Sequence, residues 1–155
     1  MIKYIKITLL VLMTIVLTEC SYKPTMTKKN YNFSIESVNL TGDNEINTII
    51  KRQLEFLDNK KDKKYYISGE STKQKIDFSK DSKGDTLKFE IIISLNLKIK
   101  DENKILLEKT LVKKSIYNNI SDKFKLESYE DIIAGNLSEK IVEEIIKDIA
   151  NINDN

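Results

Sequence analysis

The sequence predicts an α+β domain in which two amphipathic helices pack on one face of a four-stranded, mainly antiparallel sheet, in the order β-α-β-β-β-α. Three observations carry that prediction. Leu87, Phe89, Ile91, Ile93, Leu95, Leu97 and Ile99 fill every second position of one stretch, which is the period of a strand with one buried face. Ile46, Ile49, Ile50, Leu54 and Leu57 recur at helical spacing, and so do Ile133, Leu137, Ile141, Ile145 and Ile149 further on. Finally, strands and helices alternate too irregularly for repeated βαβ units, so the sheet is expected to be antiparallel in the main.

The first strand is expected around Tyr31–Val38, with Phe33 and Ile35 facing inward and Val38 or Leu40 continuing that face. Thr41-Gly42-Asp43-Asn44 breaks it, and Asp43 or Asn44 is placed to cap a helix over Glu45–Leu57. Asn59-Lys60-Lys61-Asp62-Lys63-Lys64 reads as a solvated basic loop that could also meet an anionic headgroup. Tyr65–Ile76 carries the weakest alternation; it is expected to be an edge strand or to bulge at Gly69. Asp101-Glu102-Asn103 turns the strongest strand back into Lys104–Tyr117, making a hairpin. The last helix is expected over Ser128–Ile149, with Tyr129 and Ile132 on its buried face and Gly135 marking a close approach to the sheet. A helix of that length spans about 33 Å against about 46 Å for the strand before the turn, so the hairpin is expected to project or bend and to leave apolar surface uncovered.

The N-terminus carries a different signal. Lys3 and Lys6 precede an apolar run, Ile7–Leu17, of the length of an export signal and too short to span a bilayer comfortably. Leu17-Thr18-Glu19-Cys20 follows as a lipobox, with Glu19 standing where a small residue is usual. Residues 1–19 are therefore expected to be a lipoprotein signal peptide, residues 20–30 the lipidated Cys20 and a tether around Pro24, and residues 31–155 one periplasmic domain. Cys20 is the only cysteine, so no intramolecular disulfide is available and stability must come from packing.

Composition removes several function classes. With 26 basic against 24 acidic residues, well mixed, the chain shows no pull towards nucleic acid. It contains no histidine, which excludes serine-histidine and cysteine-histidine catalysis and the common histidine metal sites. Four isolated glycines supply neither a calcium loop nor a phosphate cradle. No catalytic constellation, metal set or cofactor is expected. Asn-X-Ser/Thr triplets such as Asn32-Phe33-Ser34 are products of an Asn-rich composition behind a bacterial lipobox.

Several features together resemble the LptE family of lipopolysaccharide-assembly lipoproteins: the lipobox Cys20 followed by Tyr22-Lys23-Pro24, the first strand leading through Gly42-Asp43 to Ile46-Asn47-Thr48-Ile49-Ile50, three further strands, Ser115-Ile116-Tyr117-Asn118-Asn119, and a long final helix. The resemblance covers essentially the whole chain and rests on element order and size. It implies a non-enzymatic lipoprotein of the outer membrane, held at its periplasmic face through a lipid on Cys20, which joins an outer-membrane β-barrel protein to assemble lipopolysaccharide. Lys98, Lys100 and Lys104, at the expected hairpin tip, are candidate lipopolysaccharide contacts, because cations there could meet lipid phosphates. The alternative is a lipid-carrier or auxiliary transport lipoprotein with a cavity lined by inward Ile and Leu, and a third class is an envelope accessory or inhibitor protein.

Overall fold

The computed structural model describes residues 31–56 and 61–153. Cys20, the signal peptide and the tether lie outside them, as does part of the basic loop. In chain order the elements are β1 (Ser34–Gly42), α1 (Asn44–Glu55), β2 (Lys64–Lys80), β3 (Thr86–Lys100), β4 (Ile105–Asn118) and α2 (Lys123–Asn153). The strands form one sheet in the order β1-β2-β3-β4; β1 runs parallel to β2 and the other pairs are antiparallel. Both helices cover the same face, as expected.

In β1 the inward residues change parity, from Phe33 and Ile35 to Val38, because the register with β2 slips between Ile35 and Ser37. That irregularity is why Val38 rather than Ser37 is buried. At Gly42 the chain turns with φ +95°, and Asp43 caps α1 by accepting a 3.0 Å hydrogen bond from the Ile46 amide. Ile46, Ile50 and Leu54 form the buried stripe of α1.

β2 differs from expectation. It is the longest strand, and over Lys64–Ser71 it is internal, held between β1 and β3. No bulge occurs at Gly69. A Cβ there would lie 2.4 Å from the Asn96 carbonyl oxygen, so the glycine allows close passage of β3. The irregularities fall instead at Asp77/Ser79 and Ser79/Lys80, close to a turn in which the Asp81 carboxylate accepts from the Lys83 and Asp85 amides. Past Ser71, however, β1 has ended and β2 does become an edge.

β3 is the centre of the core: Ile91, Ile93, Leu95, Leu97 and Ile99 are all buried beneath the helices. Partners on β4 that share this face alternate less cleanly, since Lys109 and Lys113 occupy two of the positions and extend their ammonium groups to Glu144 and Asp148 of α2.

α2 is longer than expected, with 31 residues. It starts at Lys123, where the Asp122 carboxylate accepts from the Lys125 amide, and ends at Asn153. Its length of about 46 Å nearly matches the roughly 50 Å of β3, so the β3–β4 hairpin does not outrun the helix. Ile133, Leu137, Ile141, Ile145 and Ile149 are buried, whereas Tyr129 and Ile132 are half exposed, 44% and 59%, contrary to expectation. They lie in the first three turns of α2. Nor does Gly135 approach anything: a methyl there would have no neighbour within 4 Å.

Candidate interaction surface

Cross-strand partners share a face, so the registers divide the sheet side chains without ambiguity. The side away from the helices presents Tyr66, Ser68, Glu70, Thr72, Gln74 and Ile76 on β2. On β3 it presents Glu90, Ile92, Ser94, Asn96, Lys98 and Lys100, with Glu108, Thr110, Val112, Lys114 and Ile116 on β4. No described element covers it. Two halves differ in chemistry. Towards the β3–β4 turn it is polar, with a 2.8 Å hydrogen bond from the Thr110 hydroxyl to the Asn96 amide oxygen and an ion pair between Lys98 and Glu108 at 3.1 Å. Towards the β2–β3 turn it is aliphatic: Ile76, Ile92, Val112 and Ile116 gather there, and Ile76, Val112 and Ile116 are all 43% exposed or more.

Glu90 stands in the middle of the aliphatic half, directly between Ile76 and Ile116, and is only 6% exposed. Its neighbours shield it although no helix does. Lys114 lies 3.6 Å away and supplies the counter-charge. The exposed apolar residues continue round this end of the molecule through Phe78, Leu87 and Phe124. Exposed apolar surface therefore exists, gathered at the β2–β3 end of the sheet and not left by a projecting hairpin.

The candidate lysines lie at the other end. Lys98 and Lys100 share the uncovered face, and Lys104 closes the turn by donating its backbone amide to the Asp101 carboxylate at 2.8 Å. The amides of Asn103 and Lys104 hold the Asp101 carboxyl below its usual range. Lys98 is paired with Glu108, and Asp101 and Glu102 sit in the same turn, so the three lysines are interleaved with carboxylates. Their position has a clear relation to the tether. Tyr66 pairs with Lys100 and Ser34 with Lys64, which places the start of β1 at the same end of the sheet as the lysines. Lys63, from the basic loop, also lies here, with its ammonium donating to the Asn153 carbonyl at the end of α2. Sequence reasoning missed the aliphatic end because Ile76, Val112 and Ile116 come from three separate strands, and only the register brings them together.

Between sheet and helices the core is closed: Ile46, Ile50, Leu54, Ile67, Ile91, Ile93, Leu95, Leu97, Ile99, Ile141, Ile145 and Ile149 are each less than 2% exposed. A depression lined by Thr48, Lys51, Arg52, Glu55 and Phe56 lies outside that layer, along α1. No group of carboxylates able to hold a metal ion occurs among the described residues, and no described helix is long and apolar enough to cross a membrane.

Solved structures similar to this chain include bacterial lipoproteins. Rare lipoprotein B from Shewanella oneidensis superposes with a TM-score of 0.55 at 9% identity, covering 76% of this chain and 98% of its own. An uncharacterized lipoprotein B from Nitrosomonas europaea gives a TM-score of 0.61 at 14% identity, covering 85% of this chain and 94% of its own. At these identities the likeness is one of fold. No family model matches the sequence, and no curated protein matches it.

Proposed function

We propose that this chain is a non-enzymatic lipoprotein of the LptE type, anchored through Cys20 at the periplasmic face of the outer membrane, where it partners a β-barrel protein in lipopolysaccharide assembly. The observation that carries the reading is the pairing of a closed core with an open sheet face. A lipid carrier needs a cavity between its layers, and the dozen side chains filling that space leave no room for an acyl chain. The uncovered face, with its aliphatic half around Ile92 and Val112, instead suits a protein wall. The sequence resemblance and the lipoprotein neighbours point in the same direction.

In this reading Lys98, Lys100 and Lys104 sit at the end of the domain nearest the membrane anchor and meet lipid phosphates there. Replacing all three with glutamine is expected to weaken binding of the purified lipoprotein to lipopolysaccharide micelles several-fold, and unchanged binding would remove them from the role.

The partner is tested by purifying a C-terminally tagged copy from membranes solubilised in mild detergent. Recovery of one large β-barrel protein in near-equal amount is the expected result. Recovery of the lipoprotein alone, or with lipid and no barrel, would overturn it.

A further inference from the structure

Ser34 is a buried polar residue at the start of β1, and it ties two distant parts of the chain together. Its amide donates to the Lys63 carbonyl at 2.9 Å and its hydroxyl to the Lys61 carbonyl at 3.1 Å. Lys61, Lys63 and Lys64 of the basic loop are thereby held beside the point where the chain enters the domain. Lys29 and Lys28 stand two and three residues before Tyr31, so covalent geometry keeps them within about 7 and 11 Å of it. Lysines separated in sequence by all of β1 and α1 therefore gather at one place.

Counter-charges there are few. Glu36 is bound to Lys64 at 3.1 Å, and Asp62 is the one carboxylate in the stretch 61–64. The Lys63 ammonium turns to the Asn153 carbonyl and not to a carboxylate. Asp101 and Glu102, at the same end of the sheet, are matched in number by Lys100 and Lys104, and residues 20–30 contain Lys23, Lys28 and Lys29 but no acidic residue. Positive charge is left over.

We propose that Lys61, Lys63 and Lys64, with Lys28 and Lys29 of the tether, form a cationic foot that sits on the anionic headgroups of the bilayer holding the Cys20 lipid. The inference rests on the anchoring part of the proposed function and not on the barrel partner. Chain length selects this occupant. Ten residues separate Cys20 from Tyr31, a reach of at most about 40 Å, and they enter the domain at the cluster itself. The bilayer is thus the surface kept closest to these lysines, and an anionic one attracts them within a Debye length. The lipid anchors and the foot orients. Docked in this way, the sheet stands up from the bilayer, and β3, about 50 Å long, carries the aliphatic β2–β3 end away from it.

Energy transfer from a dye on the protein to an acceptor lipid tests the orientation in the full-length acylated lipoprotein, reconstituted into vesicles. Cys20 is acylated and so unreactive, which lets a single cysteine carry the dye, at Asn103→Cys in the β3–β4 turn beside the foot or at Lys83→Cys in the β2–β3 turn. In vesicles containing phosphatidylglycerol, transfer from Asn103→Cys is expected to exceed that from Lys83→Cys about three-fold or more. That ratio is expected to fall about two-fold or more in vesicles of phosphatidylcholine alone, at high salt, and when Lys61, Lys63 and Lys64 are all replaced by glutamine. Lys28→Gln with Lys29→Gln alters no residue of the described domain and is expected to lower the ratio as well, which guards against a folding defect in the triple variant. Equal transfer from both positions, or a ratio indifferent to phosphatidylglycerol or to both sets of lysines, would overturn the proposal. A protein that leaves the vesicles on flotation, before any transfer is measured, would overturn the anchoring reading and the foot with it.

Discussion

Gly42 lies directly on the backbone of Ser71, so close that a Cβ on Gly42 would stand 2.0 Å from the Ser71 carbonyl oxygen. Three things meet at that contact. β1 ends, α1 begins, and the outer edge of β2 is released. The Ser71 hydroxyl strengthens the junction by donating to the Asn47 side-chain oxygen at 2.8 Å. Gly42→Ala has to accommodate both the clash and a φ of +95°, which costs on the order of 2 kcal/mol or more. The expected outcome is a fall in Tm of roughly 6 °C or more in thermal unfolding followed by circular dichroism.

The two other glycines inside regular structure are expected to respond in opposite directions. Gly69→Ala would push a methyl to 2.4 Å from the Asn96 oxygen in the middle of the sheet, and Tm is expected to fall. Gly135→Ala meets nothing within 4 Å and removes a poor helix former from the interior of α2. That variant is expected to gain about 0.5 to 1 kcal/mol, read as a rise in Tm in the same assay.

Tyr117 gives the alkaline limb a specific component. Burial, and then the 2.7 Å hydrogen bond its hydroxyl donates to Glu130, raise its ionisation well above the usual tyrosine value of 10.0. In the unfolded chain the phenol loses its proton near pH 10, while the folded protein keeps it. Its contribution is therefore complete below pH 10 and is lost as pH rises from there towards the folded value. Chemical denaturation of Tyr117→Phe between pH 7 and 11 is expected to show a loss of about 1 to 2 kcal/mol at neutral pH and a shallower decline above pH 10.

At the acid end Glu144 acts with the opposite sign. Lys113 and then Lys109 hold its carboxyl below the ordinary 4.5, so the stability it adds is present above that value and is lost as pH falls through its lower folded value. Glu144→Gln is expected to cost less than about 1 kcal/mol at pH 7, since the site is partly open to solvent, and to flatten the fall of stability below the ordinary 4.5.

The sequence made legible what depends on periodicity. Ile91–Ile99 of β3, the buried stripe of α1, the stripe of α2 from Ile133 onward and the element order follow from apolar spacing, whereas Leu87, Tyr129 and Ile132 share that spacing and are exposed. β2 resisted because its inward positions include Gly69, Ser71, Lys73 and Lys75. These residues are chosen for close backbone passage, for the junction with α1 and for ion pairs to the helices, not for hydrophobicity. The start of α2 was hidden for a related reason: its cap is Asp122, but its first turns carry Phe124, Tyr129 and Ile132 on exposed surface, so the apolar stripe begins later than the helix does. The aliphatic half of the open face was invisible because it is assembled across strands. Lys98, Lys100 and Lys104 were readable as a cluster, yet not their sharing one end of the sheet with the start of β1, which follows from the parallel pairing of β1 with β2.

The central claim is that the open sheet face is covered by a barrel protein. It is tested most directly by placing a photo-crosslinking amino acid in living cells at Val112 or Thr110 on that face, and at Lys140 on the exposed side of α2 as a comparison. The account predicts that both sheet positions, and not Lys140, yield one crosslinked species that contains a single large outer-membrane β-barrel protein. Crosslinks from Lys140 alone, or none to any barrel from the sheet, would contradict it.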